Sequence, residues 1–165
     1  MTITEDESGK KFEVAIAPIE PTDFKSITKR KYFFNWKLEK LYEIHKLTIR
    51  NQSEILGLLS FEFIPEEWRI HVRLLSVSAE NKGKGKEYDG IVGNLLTHVS
   101  KLAIKEYAEL ACVSLKPKGA VAQHYIDEYG MNITGATLSL ELVEILALIE
   151  KFEKLKILNL SLIHI

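Results

Sequence analysis

The sequence predicts an α/β domain built on a mixed, mostly antiparallel sheet, and three observations predict it. Two apolar runs, 41–49 and 55–64, flank the turn-forming Asn51-Gln52-Ser53-Glu54 and read as an antiparallel hairpin. A further strand follows over 68–78, ending in a run apolar enough for a central position. Beyond Asp89 the apolar spacing becomes helical, and a short continuous apolar run, 110–115, comes next. Strand, helix and strand in that order make one crossover unit with parallel strands, so both kinds of pairing are expected.

Taken in order, residues 12–19 alternate weakly and stop short of Pro21, a first strand and turn. Residues 23–40 run from Lys29, Arg30 and Lys31 into Tyr32, Phe33, Phe34 and Trp36 without a clean period, which predicts a short helix and irregular chain. Core packing is the stronger expectation for these aromatics, with stacking on a ligand the alternative. Pro65 ends the hairpin. The next strand places Ile70, Val72, Leu74 and Ser76 on one face and His71, Arg73, Leu75 and Val77 on the other. From Asp89, a candidate N-cap, a helical stripe of Val92, Leu95, Leu96, Val99, Leu102 and Ala103 runs towards Tyr107. A second helix over 119–129 has Val121, Ala122, Tyr125, Ile126 and Tyr129 on its inner stripe and Gly130 at its end. One short strand is expected near 134–138, then a helix capped by Ser139 with Leu142, Ile145, Leu146, Ile149 and Phe152 on one face. Residues 158–165 read as a final strand or as a non-native tail, since Leu160-Ser161-Leu162-Ile163-His164-Ile165 resembles translated sequencing-adaptor read-through, and they carry no functional weight.

Bulk properties bound the function. The chain has 165 residues, 46% apolar, with a net charge of −1, which suits a single domain over 1–165 burying about two-thirds of its unfolded surface. That balance argues against a nucleic-acid partner, because duplex affinity rests on Lys and Arg neutralising phosphates. The polar, acidic opening Thr2 to Ser8 has no leader pattern, so the default location is cytoplasmic, and no run is long enough for a membrane span. Cys112, the sole cysteine, has no internal disulfide partner and sits in an apolar run, where a small core residue is expected. The five histidines show no metal-ligand spacing, so no metal is expected.

Residues 80–93 carry glycines, lysines and a helix start together, a combination suited to a phosphate-bearing ligand and equally to a solvated turn. A P-loop is excluded because Gly85-Lys86 is followed by Glu87, and a dinucleotide fingerprint because Tyr88 stands where its third glycine is required.

Val113 to Met131 reads as a strand, a turn and a helix ending at glycine, and it resembles the signature N-x-x-A-x-x-x-[LF]-Y-x-x-x-x-G-F of the GNAT superfamily of acyl-CoA-dependent N-acetyltransferases. Ala120, Tyr125 and Gly130 match, whereas Pro117, His124 and Met131 replace the family's Asn, apolar residue and Phe. The family's pyrophosphate loop, [QR]-x-x-G-x-[GA], aligns with Glu87-Tyr88-Asp89-Gly90-Ile91-Val92 when Leu95 and Leu96 set the register. Gly90 matches there, and Glu87 and Val92 do not. The alternative register, Glu80-x-x-Gly83-x-Gly85, keeps both small residues but loses the helix spacing. In element order the resemblance spans residues 49–131.

The resemblance implies a twisted sheet with helices on both faces and transfer of an acetyl group from acetyl-CoA to an amine. It implies backbone pairing of the pantetheine arm by Ser76, Val77 and Ser78, and amides from Tyr88, Asp89, Gly90, Ile91 and Val92 around the pyrophosphate. Tyr125 would protonate the departing thiolate. Glu62, Glu66, Glu67, His71 and His124 are the candidates for the base that a primary amine needs. A homodimer is compatible with the resemblance. Two other functions stay open: a GNAT-like module that binds CoA or a protein without catalysis, and a carrier of another nucleotide in the glycine-lysine loop.

Overall fold

The first strand is one that the amino-acid pattern does not announce. In the computed structural model, β1 (Thr2–Glu5) pairs antiparallel with β2 (Lys11–Pro18), although its polar residues leave only Ile3 to bury. The structure describes residues 1–117 and 119–153, and the expected strand or tail over 158–165 lies outside them. The chain forms two compact units, Met1–Glu62 with Arg73–Leu95, and Phe63–Val72 with the chain from Leu96 onward.

In the first unit, residues 21–39 make three short turns of helix where a helix and irregular chain were expected. They are two 3-10 turns, Pro21–Lys25 and Trp36–Glu39, and between them α1 (Lys29–Tyr32), whose Thr28 hydroxyl caps the Lys31 amide. The aromatics here are core: Tyr32 and Trp36 pack with Ile27, Ile44, Ile55 and Leu58. The Tyr32 hydroxyl donates to Ile55 O at 2.7 Å and the Trp36 indole to Tyr32 O at 3.1 Å, so each polar tip is satisfied on burial. The hairpin forms as expected from β3 (Glu43–Ile49) and β4 (Gly57–Ile64), with Glu43 opposite Phe61. β5 (Arg69–Val77) ends in this unit, and β6 (Tyr88–Asp89) returns to pair antiparallel with β1. Strand order here is β6-β1-β2-β3-β4-β5.

α2 (Ile91–Tyr107) begins in the first unit, two residues after the expected Asp89 cap, because Asp89 is held in β6 opposite Thr4. Its stripe buries Leu95, Leu96, Val99 and Ala103 as expected, but Asn94, Thr97 and Ser100 are buried too. Gly57 lies under its first turn. A Cβ there would stand 2.7 Å from Ile91 Cγ2 and 3.0 Å from Leu95 Cδ1, so the close approach of helix to strand depends on glycine.

In the second unit, β7 (Cys112–Leu115) runs parallel to the start of β5, with Arg69 opposite Cys112 and His71 opposite Ser114. α3 (Gly119–Tyr129) has the predicted bounds, and Gly130, at φ +69°, ends it by donating to Ile126 O. Its inner stripe is only half-buried, and Val121 is exposed. In place of one strand near 134–138 there is a hairpin, β8 (Asn132–Thr134) and β9 (Thr137–Leu140), turned by Gly135 at φ +62°. Ser139 therefore lies within β9, where its hydroxyl meets Thr134 Oγ1 at 2.7 Å, and does not cap the next helix. That helix, α4 (Leu142–Glu153), is capped by Glu141, whose amide Glu144 accepts at 3.2 Å, and it buries Ile145, Leu148 and Ile149. Strand order is β5-β7-β9-β8. Since β5 with β7 is the parallel pairing and β1–β2, β1–β6, β2–β3, β3–β4, β7–β9 and β8–β9 are antiparallel, the fold is the mixed, mostly antiparallel one expected. Among the described residues no helix is long and apolar enough to cross a membrane.

Candidate functional site

All of Ser76 to Val92 lies in the first unit, on the passage from β5 to α2. Ser76 and Ser78 are buried, and their polar groups are committed within the protein: Ser76 Oγ donates to Tyr32 O at 2.9 Å, and the Ser78 amide to Leu56 O at 2.9 Å. Strand alternation then turns the Val77 amide away from β4, so of the three residues expected to meet a pantetheine arm Val77 is the one whose amide does not face that strand.

The same accounting sorts the expected pyrophosphate donors. Tyr88 N–H donates to Asn81 Oδ1 at 2.8 Å. Asp89 is paired with Thr4 in the β1–β6 ladder, and two residues further along Asp6 N–H donates to Glu87 O at 2.9 Å. These main-chain groups are occupied inside the fold. Gly90, Ile91, Val92 and, in addition, Gly93 precede the first intrahelical bond, which Asn94 N–H makes to Gly90 O at 3.1 Å. Their amides form the row of donors that a helix start offers an anion, with the positive end of the helix dipole behind them. Gly90 turns the chain into the helix at φ +99°. Lys86 Nζ lies 2.8 Å from Asp89 Oδ1, which offsets a carboxylate beside that row. Gly83 and Gly85, the glycines of the alternative register, face open space in the loop before β6.

Asn81 and Asn94 are functional candidates that sequence reasoning passes over. Asn81, nearly fully buried, links Ser78 Oγ (2.9 Å) to the Tyr88 amide. Asn94 Nδ2 donates to Thr2 O at 2.8 Å and to Gly90 O at 2.6 Å. Each is an amide on a polar-looking position, and only long-range packing distinguishes it from a solvated one.

Tyr125 lies in the second unit, half-buried on α3, in an aromatic cluster with His124 and Tyr129. Burial raises its phenol pKa above the ordinary value of 10.0, so it is a proton carrier at neutral pH, the form a general acid requires. Of the candidate bases, Glu67 is hydrogen-bonded to Arg69 at 2.9 Å, and that bond and the guanidinium charge hold it below the usual carboxylate range. His71 Nδ1 lies 2.8 Å from Ser114 Oγ, which also receives Arg69 Nη1 at 2.5 Å. Arg69 Nη1 also lies 3.3 Å from Nδ1, and because a guanidinium only donates, both contacts suit an Nδ1 that accepts, with the ring proton on Nε2. In this state His71 is a donor at its other nitrogen. Glu62 is paired with Arg73 at 3.1 Å, Glu66 is exposed on the turn Pro65–Glu67, and His124 is exposed on α3. None of the five stands out as the base.

Arg73 forms a cluster of its own in the first unit. Its Nε lies 2.8 Å from the buried carboxylate of Glu39, which also accepts Ser60 Oγ at 2.9 Å, and its guanidinium stacks 3.7 Å from the Tyr42 ring centroid. No run or spacing in residues 36–42 points to a buried carboxylate.

No protein-family model and no curated protein sequence matches the chain. Solved structures do. The chain is similar to the ribosomal-protein-S18-alanine N-acetyltransferase of Escherichia coli, with TM-score 0.57 and 15% identity, over 78% of this chain and 94% of that one. It is similar to a spermidine N-acetyltransferase chimera from Vibrio cholerae and hSSAT, with TM-score 0.60 and 13% identity, over 82% and 99%. An acetyl-CoA-bound GNAT family acetyltransferase from Elizabethkingia anophelis matches with TM-score 0.56 and 15% identity, over 79% and 99%. The fold is therefore that of the GNAT acetyltransferases.

Proposed function

We propose that this chain transfers an acetyl group from acetyl-CoA to an amine. The observation that carries the proposal is the row of amides from Gly90 to Gly93 at the start of α2, in a fold shared with N-acetyltransferases, one of them with acetyl-CoA bound. Those amides suit a pyrophosphate in number, polarity and position at a helix dipole, and they do so whatever side chains the loop carries. The Val77 amide serves the pantetheine arm. Acetyl-CoA supplies an acyl carbon that an unprotonated amine attacks. The C–N bond forms, the C–S bond breaks, Tyr125 gives its phenolic proton to the sulfur, and the proton of the amine leaves to a base or a water chain.

A second function, CoA binding without catalysis, draws support from the commitment of the Tyr88 and Asp89 groups to Asn81 and β1, which leaves a shorter row of donors than the resemblance implies.

The test is thermal unfolding with acetyl-CoA, CoA, ATP and NAD in parallel. A ligand held only by the folded state at about 100 times its Kd adds about 2.7 kcal/mol, or roughly 5–10 °C for a chain of this length. A rise with acetyl-CoA and CoA alone supports the proposal, and turnover with a panel of amines then separates catalysis from binding. No rise at millimolar acetyl-CoA refutes both functions.

A further inference from the structure

The start of α2 does not stand alone. β1 carries it: Thr4 stands opposite Asp89 and, just past the strand, Asp6 N–H donates to Glu87 O, while Glu5 N–H bonds Lys10 O across the other edge. Asn94, at 0% exposure, reaches from the first turn of α2 to Thr2 O and back to Gly90 O. A Cβ on Gly90 would point at this same strand, 3.7 Å from Thr2 O and 3.9 Å from Ile3 Cα. From the far side, Asn81 ties Tyr88 to Ser78, and Ser78 is tied to Leu56. The chain entering the helix is thus gripped from both directions.

Asn94 also leaves its Oδ1 buried without a partner, a cost of about 1–3 kcal/mol that an apolar residue would avoid. What the amide contributes in return is the link between two carbonyls, Thr2 O and Gly90 O. We propose that β1 and Asn94 are positioning elements of the phosphate site, which hold Gly90 to Gly93 in the conformation where their amides converge, so that the N-terminal strand sets affinity for the pyrophosphate without touching it. This rests on the acetyl-CoA proposal above and adds an element that the resemblance to acetyltransferases does not supply.

The test compares CoA with acetyl-pantetheine, which lacks the pyrophosphate, on the full chain. Thr4→Pro removes the one N–H that β1 gives to Asp89 and leaves the β2 edge intact. Asn94→Ala cuts the tie to Thr2. Both variants should bind CoA about tenfold more weakly, measured by calorimetry, while the affinity for acetyl-pantetheine stays at the wild-type value. Thr4→Val keeps the N–H and should restore CoA affinity. A general loss of structure would weaken both ligands together, and that outcome, like undiminished CoA binding in folded Thr4→Pro, overturns the proposal. Wild-type protein that ignores CoA altogether refutes instead the acetyl-CoA function on which it rests.

Discussion

Removing the Glu39 carboxylate should destabilise this protein far more than removing Glu62, although both pair with the same guanidinium. The Glu39 side chain is 9% exposed, and the Glu62 side chain 33%. Glu39→Ala takes away the acceptor of Ser60 Oγ and of Arg73 Nε. Breaking a buried pair by deleting one member typically costs about 3–5 kcal/mol, chiefly because the remaining charge is left unpaired. Arg73 is 32% exposed and keeps Glu62, so the loss here falls to about 2–3 kcal/mol. Glu62→Ala should cost less than about 1 kcal/mol, the range of exposed pairs. Arg73→Ala, which strands Glu39 in the interior with Ser60 alone, should cost at least as much as Glu39→Ala. Urea titration gives the three differences, and thermal melts should show roughly 5–10 °C for Glu39→Ala against about 3 °C or less for Glu62→Ala. If Glu62→Ala matches or exceeds Glu39→Ala, burial is not what sets the strength of this cluster and the reasoning fails.

Tyr125→Phe should lower turnover by about 10²–10⁴ with little change in CoA affinity; because burial raises the phenol pKa, the alkaline fall in wild-type rate should have its midpoint above pH 10.0, and the variant should lack that limb. An unaltered rate removes Tyr125 from the chemistry. Gly57→Ala forces a methyl against Ile91 and Leu95 and should cost about 1–3 kcal/mol, with Ile91→Ala in the same chain recovering part of it in denaturant titrations. Additive losses would mean the strand yields instead of the helix. Asp23 is partly desolvated, which alone would raise its pKa, but Lys46 Nζ at 2.7 Å and the Glu20 amide outweigh this and hold it below 3.8. Its folded pKa thus lies below its unfolded one, so its contribution is present above about pH 4 and fades as pH falls through the folded value. The stability gap between wild type and Asp23→Asn should narrow below about pH 4, and a gap that widens on acidification would contradict the assignment.

What the sequence made legible is what short-range periodicity can carry. α3 is legible to the residue because its apolar spacing runs into Gly130, a residue suited to the left-handed turn that closes it. The stripe Leu95, Leu96, Val99 and Ala103 is likewise a local pattern. β1 is not legible, because four residues with a single apolar side chain have no period; its stability comes from ladders on both edges, to partners as distant as Asp89. The same distance hid the caps. Asp89 and Ser139 have capping chemistry, and each was drawn instead into a strand by a partner that local sequence does not name, Thr4 in one case and Ser114 in the other. Within the candidate site, the tyrosine and the helix start could be found from spacing, whereas Asn81 and Asn94, like Glu39 in the Arg73 cluster, are polar residues whose burial only the tertiary structure creates.

The distribution of main-chain bonds also accounts for where this chain departs from the acetyltransferase loop pattern. At Glu87, where the pattern has Gln or Arg, the amide donates to Glu80 O at 3.1 Å and the carbonyl accepts Asp6, so the position is part of the β1–β6 ladder and offers no main-chain donor to a ligand. An acidic side chain is tolerable at a residue whose backbone is turned into the fold. At Val92, where the pattern has Gly or Ala, the residue lies within the first turn of α2, and its contribution to an anion site is an N–H that any residue but proline provides. Gly90 is different: a positive φ and the nearness of Thr2 and Ile3 both bear on that position, and it is the one residue of the three that keeps the pattern. Glycine is retained where the backbone geometry requires it, and side chains vary where the main chain either faces inward or acts alone. The same logic fixes what Gly90→Ala should do. The strain at φ +99° falls on the junction with β1, so CoA affinity and the β1–β6 ladder should weaken together, read out by calorimetry and by faster amide exchange at Thr4 and Asp6. Loss of CoA affinity with exchange at those two amides unchanged would show that Gly90 meets the ligand directly and owes nothing to the N-terminal strand.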